Sequence, residues 1–548
     1  MLKEESLATH QSRGNAISQL IGGAEVTFFC AIVGYILIFF LKLAQNAVFG
    51  TANYGVLQFI SSILGFASVI SSIGVGQLLV TYLSKYRAQK QVALAHGVER
   101  FSIVVPFVIS VLVAVCLFAF ANSIVGFFGF TQSVGVLLGI VCVFLPIRVL
   151  LEITSSHLIA DKLPVFPSMS QQIIDRLILF FGLGICISVH AGLSLYLCVI
   201  GLSYLVQYLF LRYEVNKHKH TLAKSDATFS MQRPAYSTKE WLFFCLPLFA
   251  SGMVGYFFEW TDYFTVAKFF DSTALGVYDL TYSLAAYLLF LPSMFATLFI
   301  PVLMSHYLRD KAEFSRVWRQ LAAYAFIIVV TFGTVLFTFG KELLVGLYGP
   351  IFATSVGMLQ FLVVCFVIAS FFLFSDQILF IQGQSRFFFV ASIVCGLLDF
   401  GTNIIAAKYF GSVTGIALST GIFLIILRFV CWIRAKQLFE KRSSAKLNIP
   451  FTKFSSILTI GVMSGIFARL IYIGLSYVVY APFTYALVCS VACGMIFIGL
   501  LSLSKMFSLA DLHLFFAGLQ QFGVKLTHLH PNEHHPHHLA LSRRHHIR

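Results

Sequence analysis

Runs of about twenty apolar residues, separated by short polar breaks, recur from one end of the chain to the other. Wound as α-helix at ~1.5 Å per residue, each run can cross a hydrocarbon core of ~30 Å. Helices are also what a lone segment must form there, because lipid offers backbone N–H and C=O groups no partner. The runs centre near Ile32, Ile63, Ser110, Ile140, Leu179, Tyr204, Met253, Ala286, Val329, Phe366, Gly396, Ile422, Gly465 and Cys493. This pattern predicts an all-α polytopic membrane protein of about fourteen spans.

The basic residues test the count, because Lys and Arg collect in cytoplasmic loops. With the N-terminus inside, only Lys42, Lys268, Lys341 and Lys408 fall outside, and Arg148, Arg176, Arg428 and Arg469 fall within spans. Of 37 basic residues, 29 then lie on the cytoplasmic side, among them the clusters from Arg212 to Lys239 and from Arg434 to Lys453. Both termini are therefore expected in the cytoplasm, and the N-terminal segment is read as an uncleaved first span.

Sliding the chain by 221 residues aligns 52–90 with 273–311 without a gap. Seven positions agree: Gly55/Gly276, Val56/Val277, Ser62/Ser283, Ser72/Ser293, Ser84/Ser305, Tyr86/Tyr307 and Lys90/Lys311. Both copies follow an outside loop and end in a basic inside loop, as parallel repeats related by an axis along the membrane normal do. The expected organisation is an N-terminal lobe over 1–211, a cytoplasmic linker over 212–240 and a C-terminal lobe over 241–434. An extra helix pair over 435–505 and a tail over 506–548 follow. Two pseudo-symmetric six-helix lobes around a midplane site are a transporter architecture.

Composition agrees: 59% of residues are hydrophobic and 11% charged, and sixty are phenylalanine, far from a soluble domain. A net charge of +15 is accounted for by topology and does not call for nucleic acid. Eleven cysteines fall mostly within apolar runs and read as reduced, small hydrophobes. No Gly-x-x-x-x-Gly-Lys loop supports direct nucleotide drive. Outside loops of roughly fifteen residues or fewer disfavour a membrane glycan polymerase or ligase, so no enzyme, cofactor or metal site is expected.

Two stretches carry a family resemblance. One is Gly50-Thr-Ala-Asn-Tyr-Gly-Val-Leu-Gln58 continuing to Ser72-Ile-Gly-Val-Gly-Gln-Leu-Leu-Val-Thr-Tyr-Leu-Ser-Lys-Tyr86, with its repeat mate from Ser272 to Tyr307. The other is Ile381-Gln-Gly-Gln-Ser-Arg386 with Asn403 and Phe410-Gly-Ser-Val-Thr-Gly-Ile-Ala-Leu418. At these segments the chain resembles the multidrug/oligosaccharidyl-lipid/polysaccharide exporter superfamily, and within it the polysaccharide biosynthesis flippase branch. The resemblance implies a carrier of polyprenyl-pyrophosphate-linked oligosaccharide of the O-antigen type, moving it to the outer leaflet of a bacterial inner membrane. Its implied partners are membrane lipids, the lipid-linked glycan and a glycan polymerase or chain-length protein. A cation-coupled small-molecule exporter of the same fold is the alternative. One departure is that Gly74 and Gly76 of the first copy become Phe295 and Thr297 in the second.

Charges inside spans need a reason, since each costs roughly 2.5 to 3.5 kcal/mol at a helix centre. Arg148 and Arg176, in consecutive spans, are candidate ligands for a pyrophosphate, because guanidinium forks grip phosphate bidentately and stay charged. Arg148 also stands four residues from Glu152 and can pair with it instead. Arg469, isolated in the thirteenth span, is a third candidate for substrate. Glu259 and Asp262, three apart on a single helix face toward the outer, water-bounded end of the seventh span, together with Asp399 and Glu25, are candidate sites for proton or sodium coupling. Asp376 and Arg428 fall near span ends, where they can snorkel to the interface. Ser508 to Gln521 has the pattern of a capped amphipathic helix. The tail from His528 to Arg548 carries eight histidines without a fixed four-ligand spacing and reads as disordered.

Overall fold

The computed structural model describes residues 2–89, 91–225, 234–443, 445–476 and 482–504; within these, the side chains of 2–25, 220–225, 257–259, 291, 294–302, 305 and 476 are not described. The amphipathic segment at 508–521 and the His-rich tail lie outside these residues, as do the side chains of Glu25 and Glu259. The chain separates into two units, Gly23–Leu500 and Met1–Gly22 with Leu501–Arg548. In the second unit the described backbone is helical. The first unit holds the functional residues discussed below.

Among the described residues all regular structure is helical. In chain order the helices are α1 Leu2–Ser72, α2 Val75–Leu78, α3 Ser84–Ala88, α4 Val92–Phe127, α5 Gln132–Cys142, α6 Leu145–Ala160, α7 Val165–Met169, α8 Asp175–Ser188, α9 Leu193–Ser225 and α10 Thr238–Glu259. They continue with α11 Thr261–Phe269, α12 Ser272–Arg309, α13 Lys311–Tyr348, α14 Val356–Ala369, α15 Ser375–Ile381, α16 Ser385–Phe410, α17 Val413–Lys441, α18 Phe451–Ser476 and α19 Pro482–Leu503. Asp271, Asp310 and Ser412 start α12, α13 and α17 by accepting hydrogen bonds from backbone N–H groups of the first turn.

Among the described residues ten helices are long and apolar enough to cross a membrane, and counting two bent pairs, α5 with α6 (45°) and α10 with α11 (49°), gives up to twelve. Two further features make the structure consistent with fourteen. Helix α12 has 38 residues, and α1 turns at Gly50, where φ is 76° and ψ is 158°. The turn has a direct signature: Lys42 and Tyr54, twelve positions apart, both bond the carboxylate of Asp279. On a straight helix those residues would stand ~18 Å apart, beyond the joint reach of their side chains.

The repeat found in the sequence meets itself in space. A Cβ added at Gly55 would lie 1.8 Å from the carbonyl oxygen of Ser272, and one at Gly276 would lie 2.3 Å from that of Thr51. Thr51 and Ser272 are themselves repeat mates, so the contact is reciprocal: each segment lays its glycine on the other's backbone. Only glycine permits that approach. The copies differ where the glycines differ. Ile73 and Gly74 take positive φ and interrupt the first copy, whereas α12 runs unbroken through Phe295 and Thr297. The interruption faces α10, with Leu248 Cβ 3.0 Å from a Cβ added at Gly74.

Apolar side chains cover much of the exterior, as Phe243 (83% exposed) and Phe181 (73%) illustrate. Several carboxylates, among them Glu99, Asp175, Asp262, Asp279 and Asp399, are buried within the protein, where a lipid solvent does not reach them. Arg87, Glu99, His157, Asp161 and Lys219 form a network that ties α3, α4, α6 and α9 together: Arg87 pairs with Glu99 at 2.9 Å and with Asp161, while Lys219 and His157 reach the same Glu99 carboxylate at 2.5 Å and 3.1 Å.

Candidate functional site

Arg148 lies on α6, one turn before Glu152, and the spacing of four brings Nε within 3.5 Å of Glu152 Oε1. Ser68 Oγ donates to the same carboxylate at 2.8 Å, and the guanidinium lies 5.6 Å from the ring centre of Tyr204 on α9. Pairing with Glu152 is therefore realised, but only through Nε. Among the described residues the two Nη groups of Arg148 make no hydrogen bond. The Glu152 side chain is 40% exposed, and a carboxylate within a span is tolerated where it meets protein or water and not lipid.

Arg176 is held by its neighbour Asp175. Asp175 also accepts from Ser203 at 2.8 Å and Gln207 at 2.9 Å, both on α9. Tyr204 stands within electrostatic reach of both arginines, Glu152 and Asp175, so the two arginines belong to one region. Arg469 does not join them. It donates to Glu342 at 2.8 Å and to the Thr338 carbonyl at 3.4 Å, and packs on Tyr472, which staples α18 to α13.

The acidic candidates divide differently. The spacing of Glu259 and Asp262 predicted a shared helix face, but the backbone breaks between them: α10 ends at Glu259 and α11 begins at Thr261. Asp262, expected near water, is 2% exposed, and Asp399, on α16, is 6% exposed. The structure brings these two carboxylates within electrostatic reach of each other. Tyr278 donates to Asp262 Oδ2 at 2.6 Å. Asp399 accepts from Ser419 at 2.8 Å and Asn403 at 3.3 Å. Three buried oxygens here have no partner among the described residues: Asp262 Oδ1, Asn403 Oδ1 and Thr261 Oγ1. A buried polar oxygen left unpaired is costly, and a cluster of oxygens is the ligand set of a hard cation.

A second ionic cluster was not anticipated. Lys42, which the charge pattern places outside, is helical and pairs with Asp279 of α12 at 2.9 Å, while also donating to Ser283 at 2.7 Å. Tyr54 and Tyr263 complete the carboxylate's donors. Asp279, buried to 1%, drew no notice in the sequence because it sits between tyrosines and its cation is 237 positions away.

A model of the polysaccharide biosynthesis protein family matches residues 22–307, more than half of the chain. The chain belongs to this family. No curated protein sequence matches it. Among solved structures, lipid II flippase MurJ in an inward closed conformation is similar with a TM-score of 0.65 at 14% identity, covering 89% of this chain and 100% of that one. An inward-facing multidrug resistance MATE transporter of the MOP superfamily gives 0.60 at 13%, covering 78% and 96%. A variant of the Vibrio cholerae MATE transporter VcmN gives 0.55 at 11%, covering 78% and 98%. The chain thus shares its fold with these flippase and transporter structures.

Proposed function

We propose that this protein is a flippase that carries polyprenyl-pyrophosphate-linked oligosaccharide from the cytoplasmic to the outer leaflet by alternating access of two six-helix lobes. The observation that carries this reading is the family match over residues 22–307. The flippase structure also accounts for 89% of this chain and the MATE structures for 78%. The difference, about 60 residues, is the size of the α18–α19 segment beyond a twelve-span exporter. In this reading Arg148 and Arg176 hold the pyrophosphate, and Asp262 and Asp399 with Asn403 and Thr261 hold a sodium ion or proton whose gradient drives transport. The glycan is of the O-antigen, lipopolysaccharide-forming type, and the membrane is a bacterial cytoplasmic one. The direct test is loss of the protein: lipid-linked glycan should accumulate in the cytoplasmic leaflet. Unchanged surface glycan combined with heightened sensitivity to cationic drugs would instead favour the small-molecule exporter.

The orientation is part of the proposal. In a cysteine-free background, single cysteines replacing Asn122, Lys268 and Lys341 should react with an impermeant thiol reagent in intact cells. Those replacing Lys224 and Arg442 should react only after lysis. Labelling of either of the last two in intact cells overturns the topology.

A further inference from the structure

The acidic site and the Lys42–Asp279 pair are not separate features. Asp262 and Tyr263 are neighbours at the start of α11, and Tyr278 and Asp279 are neighbours on α12. They bond crosswise: Tyr278 donates to Asp262 at 2.6 Å and Tyr263 to Asp279 at 2.7 Å. The two tyrosine rings meet edge to face, 5.5 Å apart at 87°. All four residues are buried. One carboxylate of this clasp belongs to the proposed cation site, and the other holds Lys42 and Tyr54 of α1, next to the Gly55–Gly276 crossing.

We propose that this clasp is the coupling element through which cation occupancy at Asp262 and Asp399 controls the contact between α1 and α12. The inference rests on the reading that those two carboxylates hold a cation. A bound cation removes the repulsion between two buried like charges and draws α11 onto α16 and α17. That position presents Tyr263 to Asp279, whose carboxylate needs its hydroxyl donors to remain buried opposite one ammonium. Departure of the cation sets the carboxylates against each other. The mobile part is α11, already set at 49° to α10 across the break at Trp260; its swing withdraws the Tyr263 hydroxyl and loosens the latch. Linkage makes the effect reciprocal: a broken latch must weaken the cation. Tyr263 and Tyr278 are positioning residues in this scheme and touch no substrate.

The test uses the full chain in nanodiscs, with sodium as the probe at fixed pH and protons as the probe without sodium. A single cysteine replacing Thr51, in a cysteine-free background, reports separation of the crossing by its rate of thiol labelling. Saturating cation should slow labelling about fivefold or more, the lower end of ordinary coupling. Tyr263→Phe keeps the ring and removes the hydroxyl. Cation binding, followed by thermal shift, should persist in it while labelling no longer responds. Lys42→Ala should weaken cation affinity about fivefold or more in the parent and leave it unchanged in the Tyr263→Phe background. A full labelling response in Tyr263→Phe, or binding that never alters labelling in the parent, overturns the clasp and leaves the cation site standing. Absence of binding by sodium and protons alike overturns the cation site, and the clasp with it.

Discussion

Replacing Arg148 and Arg176 together with alanine should reduce translocation of lipid-linked glycan by about two orders of magnitude or more at unchanged protein levels. A hydrogen bond to a charged group is worth about 1.5–3 kcal/mol, and ~1.4 kcal/mol is a factor of ten, so each arginine accounts for tenfold or more. Folding should survive the loss because neither carboxylate is abandoned. Asp175 keeps Ser203 and Gln207, and Glu152 keeps Ser68 and its partial exposure. Lysine at either position retains charge but not the planar fork, so activity should fall in the order Arg, Lys, Ala. The double variant Arg148→Ala/Glu152→Ala separates two roles. Recovery of the activity lost in Arg148→Ala would reduce Arg148 to a counter-ion for Glu152, whereas continued loss assigns its free Nη groups to the substrate. The readout is untranslocated lipid-linked sugar in the cytoplasmic leaflet.

Amide substitutions at the acidic site should have the second largest effect. Asp262→Asn and Asp399→Asn each remove one charge from an oxygen cluster whose affinity for a hard cation follows ligand charge. Each should weaken the ion at least about tenfold, ~1.4 kcal/mol, and make transport in proteoliposomes insensitive to an imposed sodium or proton gradient. Asparagine keeps the volume and an acceptor for Tyr278 or Ser419, so expression should hold. Gradient dependence that survives in both variants would remove the pair as the coupling site.

The parts of this molecule visible in the sequence are those with a period or a local partner. Apolar runs marked the helices, because burial of backbone in lipid leaves few alternatives. The 221-residue offset named the glycines that later met across the repeat. Arg148 with Glu152 was legible as a helical spacing of four. What stayed hidden depended on long closures or breaks in the backbone. Lys42 and Asp279 gave no signal, because a loop charge and a paired one look alike until the chain turns at Gly50. Glu259 and Asp262 looked like one face because nothing in Glu259-Trp-Thr-Asp262 announces a helix break. Arg469 looked unpaired because Glu342 lies 127 positions away.

The reciprocal glycine crossing bears on leakage. Each half of that contact sets a glycine against a facing backbone carbonyl, with no long side chain to stretch as the segments part. Packed interfaces of this kind switch between discrete states and do not yield gradually. Two such halves, related by the repeat, must let go together. A cavity wide enough for a sugar-bearing pyrophosphate is also wide enough for water and small ions, and a seal that failed by degrees would short-circuit the membrane on every cycle. In the flippase reading proposed above, closure by a paired contact of glycine on backbone would let a bulky polar head pass while the permeability barrier of the bilayer stays intact.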